Sequence, residues 1–269
     1  MSVDYKMSNK EYHNHPAYSS SDVKKVASST LAHWKNEVRK ESAAFDLGSA
    51  VHSMLLEPEL NSVVEGPETR RGKEWTAMKE DADSKGKILL PRKEYQVAEQ
   101  MTQAAMFTPH VAEIINDTHA IKEASYFATD SVRGRDTDLK CRPDGLLPNK
   151  KLMFDIKTCQ DASPNGFAKA VRDYSYDIQA SFYKHCMELE GFTIDRFLFI
   201  CIEKQNPFIV QAHELSGEYL NHAKMRMLKT LEVMKLADMT GDYSTRWPKV
   251  NTIALPSWLV KTDFEEIPV

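Results

Sequence analysis

An α/β fold behind a mainly helical N-terminal part is what this sequence predicts, on three observations. The first 120 residues carry apolar positions at helical spacing after serine- and proline-marked starts. From residue 121 the spacing changes to short runs at strand period. Two further helical stretches interrupt those runs, giving strand, strand, strand, helix, strand, strand, helix. The 269 residues, 42% hydrophobic and 28% charged, suffice for one large domain, and no internal repeat or low-complexity tract divides them. We therefore expect a single domain over 1–269, with a mainly helical part over 1–120, the α/β core over 121–237 and an extension over 238–269.

Taken in order, "YSSSDVKKVASSTLAHWKNEVRK" offers two serine-rich caps and predicts short helices near 21–27 and 30–39. In "FDLGSAVHSMLLEPE" the apolar residues Leu47, Val51, Met54 and Leu55 repeat at i, i+4, i+7 and i+8, and Pro58 ends the helix. "EGPETRRGKEW" is a loop by composition, and "PRKEYQVAEQMTQAAM" a helix with proline in its first turn. Strands follow in "AIKEASYFAT", "DTDLKCRPDGLL" and "KLMFDIKT", then a helix through "YDIQASFYKHCMELEG". "DRFLFICIEKQNPFIVQAHEL" predicts a hairpin, 216–237 a long helix, and the proline-punctuated remainder an extended tail.

Charge excludes a protein coated with basic surface, since the net value is −4. It leaves room for a local basic groove, and if a nucleic acid binds there, Arg70, Arg71 and Lys73, in the turn-like loop, are the residues expected to contact its phosphates, with Arg133, Arg135 and Lys140 next in line. Cys141, Cys159, Cys186 and Cys201 lack CxxC spacing, which argues against a zinc knuckle or disulfide framework and for a reducing, cytoplasmic setting. Nothing reaches the roughly 18 apolar residues of a membrane span, so no membrane partner is expected.

The chemistry concentrates in "RPDGLLPNKKLMFDIKT", residues 142–158, where charges enter an otherwise apolar strand. Burying a charge costs several kcal/mol unless it is paired. A turn centred on Asn149 and Lys150 sets Asp144 opposite Asp155, about 5 Å apart at Cβ, and alternation puts Lys157 on the same face as Asp155. Two carboxylates so placed suit a hard cation such as Mg²⁺, with Mn²⁺ able to substitute, and a nearby lysine can orient a water on a phosphate. Asp-x-Lys also starts at Asp4, Asp22 and Asp138, so the tripeptide counts only in this context. His52 lies beside the apolar helix stripe, Glu123 starts the preceding strand, and Gln179 and Tyr183 share a helix face.

These residues resemble the PD-(D/E)xK nucleases: "PD" stands at Pro143–Asp144 and "DIK" at Asp155–Lys157. His52 and "QASFY", with Gln179 and Tyr183, are similar to the extra histidine and Q-x-x-x-Y of the RecB-type branch. "YSSSDVKK", "GSAVHSMLLEPE" and "RRGKEW" narrow the likeness to the C-terminal exonuclease domain of RecE-type enzymes (exonuclease VIII). The resemblance implies a restriction-endonuclease-like core with a mixed central sheet flanked by helices. It implies a metal held by His52, Asp144, Asp155 and the Ile156 carbonyl, with Glu123 as a further acid, Lys157 serving the attacking water, and Gln179 and Tyr183 steadying the site or the strand. It further implies Mg²⁺-dependent 5′→3′ degradation of one strand from double-stranded DNA ends, a closed homo-oligomeric ring, tetramer favoured over trimer, and a RecT-like single-strand annealing partner. Alternatives are a RecB-type nuclease for single-stranded or branched DNA, a catalytically silent DNA-binding module, and a purely structural α/β protein.

Overall fold

A computed structural model of the chain describes residues 2–37, 43–245 and 250–255, with backbone alone for Ser2 and 43–45. Strand β1 is Ser2–Asp4, followed by helix α1 (Asn9–Asn14), β2 (Tyr18–Ser19), α2 (Ser20–Ser28) and α3 (Leu31–Lys35). The end of the predicted 30–39 helix falls outside the described residues. Helix α4 (Ala43–Leu56) leads to β3 (Val63–Gly66), α5 (Lys73–Ser84), β4 (Ile88–Pro91), α6 (Arg92–Met106) and α7 (Pro109–Ile115). The core comprises β5 (Ile121–Lys122), β6 (Ser125–Val132), β7 (Arg135–Cys141), β8 (Gly145–Leu147), β9 (Leu152–Cys159), α8 (Pro164–Tyr174), α9 (Tyr176–Leu189), β10 (Arg196–Glu203), β11 (Val210–Glu214) and α10 (Gly217–Thr240).

Two mixed sheets carry the site. One runs β11-β10-β9-β8-β5 and the other β1-β6-β7-β2. Strands β9 and β10 lie parallel at the centre of the first, joined through α8 and α9, and both are apolar along most of their length because helices cover both faces. Leu152, Phe154 and Ile156 project into one core with Val51 and Leu55 of α4 and Met101 of α6. Met153 projects into the other, with Phe182 of α9, Met227 of α10 and Tyr126 of β6. Period-two alternation therefore sends Asp155 and Lys157 towards α9.

The N-terminal part is less purely helical than expected. Strands β1 and β2 extend the second sheet, and β3 and β4 pair in parallel around α5. Helix α8 is a further addition, capped by Ser163, whose hydroxyl accepts from the Gly166 N–H at 3.1 Å. Residues 246–249 and 256–269, most of the expected tail, lie outside the described residues.

Candidate active site

The two sheets are stitched together by one long, bent hairpin. Strands β5 and β8 pair in the first sheet, and their continuations β6 and β7 pair in the second. Both arms must therefore turn from one sheet to the other, at Glu123 on one side and at Arg142–Asp144 on the other. Glu123 makes its turn with a positive φ of 52°, and Pro143, which has no N–H to give a ladder, ends β7's pairing. The Glu123 N–H donates to the Asp144 carbonyl at 3.4 Å, bridging the two bends. A pair of acids is thus set where the ladder opens.

Beyond β8, Pro148–Lys150 forms a 3₁₀ turn and Lys151 takes a left-handed conformation with φ 47°. The resulting register pairs Gly145 with Phe154 and Leu147 with Leu152, the alignment read from the sequence, although the turn is longer than a two-residue one. Asp144 then leaves the ladder, and its Oδ2 accepts the Ile156 N–H at 2.5 Å. Helix α4 brings His52 Nδ1 to 3.3 Å from the same oxygen. His52, Glu123 and Asp144 offer ligand atoms all within 4.8 Å of one another.

Asp155 stands beside that trio rather than in it. Its carboxylate, 2% exposed, pairs with the Lys157 ammonium and accepts from Gln179 Nε2 at 2.6 Å. Lys157 supplies the charge that balances this acid. Apart from that ion pair, Asp155 Oδ2 is buried without a hydrogen-bond donor, and so is Gln179 Oε1. An imidazole nitrogen, several carboxylates and unsatisfied buried oxygens fit a hard divalent cation, and the residues able to hold one are His52, Glu123, Asp144 and, on a rotation, Asp155.

Electrostatics follow from burial and crowding. Desolvation first, then the neighbouring Asp144, pushes Glu123 up to about 8. Asp144 rises to about 6, again through burial, with His52 opposing and Asp155 reinforcing the shift. Burial works to lower Lys157, but Asp155, Tyr176 and Asp144 outweigh it and hold the ammonium charged. Lys157 Nζ lies 4.8 Å from the centre of the Tyr176 ring. Lys24 of α2 approaches the same ring at 5.7 Å, and burial with the nearby Lys157 lowers it to about 8. In the sequence Lys24 stands out only as part of a basic pair.

The site opens into a cleft of about 1350 Å³, with His52, Glu123, Ile156 and Lys157 in its wall. Tyr183 is not in that wall. It is buried, edge-on to Phe197 at 6.1 Å, so it packs behind the site and leaves the contact with Asp155 to Gln179. Arg70, Arg71 and Lys73 do not line the cleft either, and Arg70 is spent on Glu94 and Asp46. Lys140, a reserve candidate, is buried and donates to the carbonyls of Tyr12 and His15. The cations that do line the cleft include Lys122, Lys169 and Lys204, none with an ion-pair partner among the described residues. In the sequence they are scattered, Lys122 between Ile121 and Glu123, Lys169 between two alanines and Lys204 between Glu203 and Gln205.

The decoy tripeptides have ordinary work. Asp22 caps α2 through Ser19 and accepts from the Trp34 indole at 2.9 Å, Asp138 is exposed and accepts from Thr129, and Asp4 accepts the Lys6 N–H.

Comparison with known proteins finds a family match and similar solved structures. The PDDEXK-like domain of unknown function (DUF3799) matches residues 19–249. A candidate exonuclease from Eubacterium rectale has a similar structure, with a TM-score of 0.62, 16% identity, and coverage of 96% of this chain and 98% of its own. A phage-related exonuclease from Haemophilus somnus 129PT aligns over 85% of this chain and 98% of its own, at 13% identity and a TM-score of 0.35. No curated protein matches the sequence.

Proposed function

The chain belongs to the family of PDDEXK-like domains, and on that premise we propose that it is a divalent-metal-dependent exodeoxyribonuclease that degrades duplex DNA 5′→3′ and leaves 3′ single-stranded tails. The observation that carries this reading is the meeting of His52, Glu123 and Asp144 within 4.8 Å, beside the Asp155–Lys157 pair, in the wall of an open cleft. When bound, Mg²⁺ or Mn²⁺ supplies Lewis-acid polarisation of the phosphate and of a water.

The chain's own residues do the rest. Glu123 and Asp144 provide carboxylates that burial keeps partly protonated near neutrality, so cation binding and proton release are coupled. Asp144 is fixed by the Ile156 N–H and needs little reorganisation on loading, whereas Asp155, held by Gln179 and Lys157, must rotate to join it. The Ile156 carbonyl follows Asp155 in the chain, at the cleft wall, and is a backbone ligand in this reading. Lys157 stays charged and aims an ammonium at the attacking water and the developing charge on the phosphate. Lys122, Lys169 and Lys204 hold the strand by its phosphates.

In this reading the enzyme works as a homo-oligomeric ring, tetrameric rather than trimeric, and hands its tails to a RecT-like annealing protein. The test is a linear duplex labelled at either 5′ or 3′ ends and incubated with the protein and Mg²⁺. Early release of 5′ label as nucleotides, with the 3′ label retained in shortening strands, is the expected result. Early release of 3′ label, or internal nicks in a closed circle, would contradict it.

A further inference from the structure

We propose that Tyr174, stacked on Tyr176 at the cleft wall, is a base-stacking step that holds a nucleobase of the strand being processed. The proposal rests on the nuclease reading of the same cleft.

An exposed aromatic ring in this position is unusual for its surroundings. A run of rings crosses the first sheet's covered face, with His213 on Phe167 at 4.4 Å, Tyr176 on Phe199 at 5.7 Å, and Phe167 on Tyr176 at 6.4 Å. Tyr174 continues it, 5.6 Å from Tyr176 at an interplanar angle of 29°, yet it is 63% exposed where Phe167 and Phe199 are buried and Tyr176 and His213 are half-buried. The backbone is bent to make this pair. Ser175, buried and left-handed with φ 52°, ends α8 and starts α9, so two residues that would diverge around a continuous helix are instead stacked.

The occupant follows from what lies beside the rings. Tyr176 carries Lys157 on its ring at 4.8 Å, so the Tyr174 ring lies no more than about 10 Å from the ammonium that serves the scissile phosphate. That is within one or two nucleotides of the reaction. Lys169 of α8 and Lys204 share the cleft with both tyrosines, supplying cations for the phosphates on either side of a stacked base. Flat π-surface flanked by lysines suits single-stranded nucleic acid, since every base offers a face and the backbone its charge. A duplex end must therefore fray by a base or two to reach Tyr174.

The test uses the full chain carrying Asp155→Ala, so that DNA binds without being cut, and strands with 2-aminopurine or an abasic residue at the terminal positions. With Tyr174 present, the fluorescence of 2-aminopurine should be quenched on binding, and the abasic strand should bind between about 5- and about 150-fold more weakly than the intact one. Adding Tyr174→Ala should remove the quench, weaken intact DNA by a similar factor and make the protein indifferent to the abasic substitution. Tyr174→Trp should restore both effects. Equal affinity for intact DNA with and without the ring, or a parent protein blind to the abasic residue, would overturn the proposal. Duplex hydrolysis by the otherwise wild-type chain is followed separately: its absence strikes the nuclease reading, whereas intact hydrolysis with unchanged affinity in Tyr174→Ala strikes only the stacking assignment.

Discussion

Asp155 and Lys157 neutralise each other on a buried strand, and because the lysine reaches the cleft wall its charge can be solvated when the acid is removed. Asp155→Ala leaves Lys157 without its nearest acid but opens no large cavity, and hydrolysis should fall to background while the far-UV spectrum stays native. Lys157→Ala should lower the single-turnover rate by about 10²-fold or more, the scale of one preorganised contact in the transition state, with Mg²⁺ dependence unchanged. A shifted Mg²⁺ midpoint with a normal saturating rate would make the lysine structural. Glu123 and Asp144 give a pH signature. Their folded values, about 8 and about 6, stand above the ordinary 4.5 and 3.8, so between these limits the metal-free fold binds more protons than the unfolded chain and loses stability as pH rises. The metal-free Tm should fall from pH 5 to pH 8, and Mg²⁺ should raise it more at pH 8 than at pH 5. A Tm increment independent of pH would place the cation elsewhere. These residues were legible because charge inside an apolar run demands a partner. Arg70 was misleading for the opposite reason, since its acids stand 24 residues away on either side and no local pattern announces them.

At the scale of elements, Gly145 decides whether the acids meet. An added Cβ would sit 2.1 Å from the Phe154 ring, which lies across the glycine from the neighbouring strand. Gly145→Ala must displace that ring and should cost about 1–3 kcal/mol in urea unfolding, together with weaker metal binding, because Asp144 and Asp155 flank the pair. Unchanged stability would show that β8 and β9 adapt freely. The hairpin register was readable from the turn placed at Asn149 and Lys150, which sets Gly145 opposite Phe154, and a slip of one residue would have moved Asp144 to the other face. The division into two sheets was not, since strand period continues unbroken through Glu123 and Pro143 and only backbone direction changes. Strands β3 and β4 escaped because each is four residues long, and α5 between them buries only Ala82 among its side chains. Helix α8 was hidden by proline, asparagine and glycine in its first turn, which read as loop.

For the whole molecule, a net charge of −4 leaves few cations for the phosphate contacts proposed in the cleft, so they have to be local. Replacing Lys122, Lys169 and Lys204 together by alanine should flatten the log–log salt dependence of duplex binding, by about 0.9 for each phosphate no longer neutralised. Replacing Arg71 and Lys73 should change it less, because neither lines the cleft. A ring that encloses its product strand also predicts digestion of a long duplex to continue after unlabelled trap DNA is added. Arrest within a few nucleotides would favour an open, monomeric cleft.

If the residues gathered at the crossover between the sheets hold the divalent cation needed for phosphodiester hydrolysis, the initial rate on a linear duplex, measured across a Mg²⁺ series, will separate wild type from Asp144→Asn. The substitution preserves shape and an acceptor for the Ile156 N–H while removing the charge. The wild-type rate should rise to saturation with Mg²⁺ and vanish in chelator, and the variant should stay at background throughout. Hydrolysis that persists in chelator, or an Asp144→Asn variant that matches wild type across the series, would contradict the account.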